Sequence, residues 1–202
     1  MRRWVASGVF LYSLIGPAAA GDLSGQSALQ ALCDDASPLP DVEDASQSVT
    51  LGLEMVARCP NIDRGGALLE KAAQGGSDQA NLHLGWLYME DVGAKSPSGR
   101  FRLDRQKSLA YLRLVRGEHL AMASVLIGAN LLEQSERDAS LRPAGEAQLR
   151  WASAYLAKEG ADLEARSRAD QAANARRMQL YEAMRVLAGV ARTFGVELPE
   201  FR

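Results

Sequence analysis

A degenerate internal repeat limits the possible folds of this chain more than any other feature. The stretch Arg64-Gly65-Gly66-Ala67-Leu68-Leu69-Glu70-Lys71-Ala72-Ala73-Gln74-Gly75, followed by Ala80-x-x-x-Leu84-Gly85-x-x-Tyr88, recurs in weakened form 43 positions downstream. Arg64 maps to Lys107, Ala67 to Ala110, Leu69 to Leu112, Ala80 to Ala123, Leu84 to Ile127 and Gly85 to Gly128. A period of this size, with two amphipathic segments per unit, is the mark of a helical array. One such unit cannot bury its apolar side alone and must stack on a neighbour. The expected fold is therefore all-α, an α/α superhelix of antiparallel helix pairs that ends in a long C-terminal helix.

Composition agrees with that class. Alanine is abundant, β-branched residues are scarce and aromatics make up only 6% of the 202 residues, which favours close-packed helices over sheet. The first twenty residues read as an export signal. Arg2 and Arg3 precede an apolar run from Trp4 to Ile15, Pro17 breaks it, and Ala18-Ala19-Ala20 fits a signal peptidase site. Cleavage is expected after Ala20. Loss of the two arginines takes the formal charge from −2 to −4, so nucleic acid is not an expected partner. No later run reaches membrane-spanning length. The implied location is the periplasm, with secretion as an alternative. Cys33 and Cys59 would then meet oxidising conditions, and an even pair without CxxC spacing favours a structural disulfide over a redox or metal site. Closing a loop of roughly 27 residues should stabilise by about 3–4 kcal/mol.

Along the chain, helices are expected over Ser24–Asp34, Ala45–Arg58, Asp63–Gln74, Ser77 to about Glu90, Asp104–Arg116 and Leu120–Gln134. Pro60, Gly75-Gly76 and Gly117 act as stops. Val92–Leu103 interrupts the pattern as a basic loop. After Pro143 the repeat fades. Ala144–Lys158 is amphipathic and closes at Gly160, and Ala161 to about Arg192 is one long helical run. Its second half carries Met178, Tyr181, Met184, Leu187 and Ala191 as a stripe. The expected organisation is a signal at 1–20, bridged capping helices at 21–60, repeat pairs at 61–134 and a C-terminal helical region at 144–202.

The repeated residues resemble the SEL-like family, relatives of the tetratricopeptide repeat. The first copy matches its pattern through Arg64, Lys71-Ala72-Ala73, Gly76, Ala80, Leu84-Gly85 and Tyr88. The second matches through Asp104-x-x-Lys107, Tyr111-Leu112, Ala123 and Ile127-Gly128, and Leu51-Gly52-x-x-Met55 reads as a half copy. Leu114-Val115-Arg116 replaces the Lys-Ala-Ala of the second unit, and Leu131 replaces its Tyr. The resemblance covers Ala45 to Gln134. It implies a curved scaffold for protein–protein complexes, often in the bacterial envelope, with no catalytic residues and no cofactor. It also implies that Tyr111, Arg113 and Arg116, with Glu70, Lys71 and Gln74, lie on the concave side as a partner surface. The alternative for these six is an ordinary polar face.

Catalytic chemistry finds little to stand on. The chain has no nucleophile elbow, HExxH, Walker loop or CxxC. His83 and His119 lack convergent ligands in sequence, so no metal is expected. Trp86 and Trp151 are expected to fill the core between repeats, and an exposed Trp would instead be a binding anchor. The Arg166–Arg177 run reads as a solvated or acid-contacting face. These residues point to an exported, non-enzymatic interaction module, an immunity or assembly factor for another envelope or secreted protein. Two alternatives stand beside it. One is an envelope enzyme component with a pocket joining Glu146, Glu159, Glu164 or His83. The other is a homo-oligomer paired through the C-terminal stripe.

Overall fold

The computed structural model describes residues 31–198 apart from 35, 43, 91 and 166–170, and the side chains of 164 to 175 are likewise outside the description. The export signal, the cut after Ala20 and the start of the opening helix at Ser24 lie outside the described residues. Among those described, regular structure is helical throughout: α1 Ala45–Arg58, α2 Asp63–Gln74, α3 Asp78–Met89, α4 Arg105–Leu112, α5 Leu120–Gln134, α6 Arg142–Ala165 and α7 Gln171–Phe194, with short 3-10 turns between. The chain divides into two compact units, one ending at Asp104 and one beginning at Arg105.

Local chemistry sets the helix ends. The Asp44 carboxylate accepts the Gln47 N–H at 2.7 Å, and Ser77 Oγ accepts that of Ala80 at 3.2 Å. The Gly75-Gly76 stop of α2 is a Schellman motif. The Gly76 and Ser77 N–H groups donate back to Ala73 and Ala72, and Gly76 takes φ +87°, which a side chain would resist. The end of α7 repeats the device, with Gly195 at φ +65° and Val196 donating to Ala191.

In the first unit α1 packs on α2 and α2 on α3. Gly52 and Gly65 meet where α1 crosses α2. A Cβ built on Gly65 would lie 2.6 Å from the Gly52 carbonyl oxygen, and one on Gly52 would press on Leu69. In the second unit α5 packs on α4, α6 and α7. There Gly128 of α5 meets Gly145 of α6, and a Cβ on Gly128 would strike Leu149 at 2.6 Å. The two crossings therefore share one design: facing glycines, with a leucine four residues after the second. Gly65, Leu69 and Ala72 recur as Gly145, Leu149 and Ala152, 80 residues later. All six are buried.

Two helices are buried on nearly every side. Every residue from Ala80 to Tyr88 in α3 is buried, as is all of Ala121–Leu132 in α5 except Ile127. An apolar helix of this kind occupies a core rather than a surface.

The C-terminal expectation needs correction in three respects. Gly160 does not close a helix; α6 runs on to Ala165. The run expected from Ala161 to about Arg192 is two elements, α6 and α7. The inward stripe of α7 is Leu180, Ala183, Leu187 and Val190, while Met178 and Tyr181 are 69% and 62% exposed. Leu187 belongs to the core rather than to an oligomer seam. Helix α4 also stops early, at Leu112 instead of Arg116, and Gly117 opens the next 3-10 turn.

Candidate protein-interaction surface

The N-terminal segment is fixed by a bridge and a clamp. Cys33 and Cys59 form the disulfide, with Cα atoms 5.3 Å apart. Around it Met55, Cys59 and Leu68 are buried beneath Leu32 and Leu51. The Arg64 guanidinium then donates to three carbonyls: Leu32 from Nε at 3.1 Å, Ser37 from Nη1 at 2.6 Å and Pro38 from Nη2 at 3.3 Å. In the sequence Arg64 stands out only as a repeat position. Its clamp role depends on the bridge having brought these carbonyls within reach.

The segment expected as a plain basic loop is built into the first unit. Phe101 is fully buried against Gly66, where a Cβ would sit 2.1 Å from the ring. Its ring centroid lies 5.4 Å from that of Tyr88. The Asp63 carboxylate accepts the Ser96 hydroxyl and, at 2.9 Å, the Ser98 N–H. Burial pushes the Asp63 carboxyl up, but these hydrogen bonds and the Arg100 charge outweigh it and hold the group below its ordinary range. Two backbone bonds close the loop: Ile62 N–H to Lys95 at 2.8 Å and Asp104 N–H to Tyr88 at 2.8 Å.

Of the six residues assigned to a partner surface, Glu70 turns inward. Its carboxylate accepts the Tyr88 hydroxyl at 3.2 Å and pairs with Arg100. Lys71 is exposed, 3.4 Å from Asp41, and Gln74 is exposed at the end of α2. In the second unit Tyr111 is half-buried and Arg113 exposed. Arg116 is exposed too, but its Nη1 donates to the carbonyls of Arg113 and Val115 at 2.6 and 2.8 Å, covering the ragged end of α4. The repeat-motif positions behave as core. Ala72, Ala80, Leu84, Gly85, Tyr88, Ala123 and Gly128 are buried, and Ala73 and Ile127 are half-buried.

The two tryptophans divide. Trp86 is 7% exposed and belongs to the core as expected, whereas Trp151 of α6 is 43% exposed. Its ring stacks on Tyr155 with centroids 5.2 Å apart. The reason is its place on α6. Leu149, Ala152 and Leu156 take the inward stripe, and at 100° per residue Trp151 falls on the opposite side.

The carboxylates proposed for a C-terminal pocket are held by arginines. Glu146 pairs with Arg142 and Arg150, and Glu159 with Arg176. The side chain of Glu164 lies outside the description, as do those of Arg166, Arg168 and Asp170. His83 is 1% exposed inside α3, and His119 lies 3.6 Å from Glu118. Among the described residues no group of three or more His, Cys, Asp or Glu is placed to hold a metal ion. No described helix is long and apolar enough to cross a membrane. No family model matches this chain, and no curated protein or solved structure is significantly similar to it.

Proposed function

We propose that this chain is an exported, non-enzymatic helical scaffold that holds another envelope or secreted protein, in the manner of SEL-like repeat proteins. The observation that supports the reading best is the recurring helix crossing. Gly52 with Gly65 and Leu69, and Gly128 with Gly145 and Leu149, use the same contact in each unit. A chain that repeats one packing unit in series builds extended surface rather than a single cleft. The engaged state of Glu146 and Glu159 fits the same reading, since carboxylates already paired with arginine are poorly placed for acid–base work. The Cys33–Cys59 bridge is compatible with an oxidising compartment, which agrees with the expected export signal.

The test is native affinity purification of the full chain from the envelope fraction of producing cells. A specific partner in near-stoichiometric amount is expected. Recovery of the chain alone at every salt concentration would overturn the scaffold reading.

A further inference from the structure

The largest exposed apolar side chains of the second unit concentrate on α6 and α7. These helices run antiparallel in a register fixed by three contacts. Arg142 donates to the Phe194 carbonyl at 2.9 Å, Arg177 to that of Leu163 at 3.2 Å, and Arg176 lies 3.5 Å from Glu159. That register sets Tyr155 level with Tyr181, and Trp151 level with Arg185. Both inward stripes are spent in the core, so helical spacing brings Trp151, Tyr155, Met178 and Tyr181 to the outward side of the pair. Trp151, Met178 and Tyr181 are 43%, 69% and 62% exposed.

Exposed charge on these two helices is mainly positive, although Arg150 and Arg185 each pair with a glutamate of their own helix. The exposed charged residues described on α6 and α7 are Arg142, Arg150, Lys158, Arg185 and Arg192 against Asp162 alone. Glu146, Glu159 and Glu182 are half-buried in arginine pairs. The wider chain is polarised in the same direction. Residues 105–202 carry 15 Lys and Arg against 12 Asp and Glu, while residues 21–104 carry 6 against 13. Aromatic and Met anchors among arginines, with few carboxylates, are the make-up of a protein interface core. A symmetric pairing of this face with its own copy would bring together two surfaces of the same net charge, which costs rather than stabilises.

We infer that the outward face of α6 and α7, centred on Trp151 and Tyr181, docks a carboxylate-rich segment of a different protein. Its apolar side chains would cover the Trp151–Tyr155 stack while its carboxylates meet Arg150, Arg185 and Arg192. This rests on the scaffold reading and names the surface and the partner chemistry within it.

The test places a photo-crosslinking residue at Ala154 or Ala188 of the full chain, both exposed beside the patch, and at Gln74 or Arg113 as comparison sites. Ala154 and Ala188 should yield one protein adduct whose mapped contact segment is net acidic. Trp151→Ala, or Arg150→Glu with Arg185→Glu, should cut the adduct about tenfold or more while the helical circular dichroism stays unchanged. Half-molar salt should also weaken it. Adducts from Gln74 or Arg113 alone would overturn this face and leave the scaffold standing. No adduct from any site would overturn both. A phospholipid adduct, an adduct with a second copy of the chain, or a neutral or basic contact segment would each overturn the inference.

Discussion

Gly66 and Gly160 are the same residue under opposite constraints. A Cβ on Gly66 would meet the Phe101 ring at 2.1 Å, whereas one on Gly160 meets nothing within 4 Å. Gly66→Ala is therefore expected to destabilise by about 1–3 kcal/mol, as overpacking does. Gly160→Ala, inside α6, should instead stabilise by about 0.5–1 kcal/mol. Urea unfolding of the two variants checks both signs. Asp63 supplies a pH test. Burial opposes its ionisation, but the Ser96 and Ser98 hydrogen bonds and the Arg100 charge prevail, so its folded pKa lies below the ordinary 3.8. The stabilisation is then complete above that value and fades as pH falls through the folded one. Acid should weaken the 92–104 loop only below about pH 4, and Asp63→Asn should flatten that limb of the stability profile. The residue type at each of these positions is plain in the sequence. What Gly66 and Asp63 do depends on a neighbour thirty or more residues away, and what Gly160 does on having none.

At the level of elements, four of the seven helices were fully legible in outline. Ala45–Arg58, Asp63–Gln74 and Leu120–Gln134 match their expected limits, and α3 ends one residue early. Each has a cap or stop coded within a few residues, such as Ser77 before α3 or Gly75-Gly76 after α2. At Gly160 a stop residue is present but unused. Gly160 sits inside α6 because helical hydrogen bonding continues through it at a cost of only about 1 kcal/mol. On α7 two candidate stripes, one residue apart, compete for the core, and burial selects Leu180, Ala183 and Leu187. Leu187→Ala should therefore cost about 2–5 kcal/mol, while Tyr181→Ser should leave the thermal midpoint almost unchanged. The covalent bridge is a third element-scale device. Replacing Cys33 and Cys59 by serine should lower stability by about 3–4 kcal/mol and open residues 34–44 to limited proteolysis, because the Arg64 clamp depends on the bridge.

For the molecule as a whole, surface charge is expected to serve recognition more than stability. The Arg150 pair with Glu146 is an exposed i, i+4 contact at 3.4 Å, a class of little net value to folding. Arg150→Glu should leave thermal unfolding close to the parent's, whatever it does to partner capture. The all-helical class of the described residues and the cysteine pairing followed from the sequence, because each is written in local spacing and residue type. Which of two tryptophans is buried, which stripe of α7 faces inward, and that Phe101 fills the space above Gly66 did not. Those outcomes depend on how side chains from distant segments share one volume, and only close packing in three dimensions determines that.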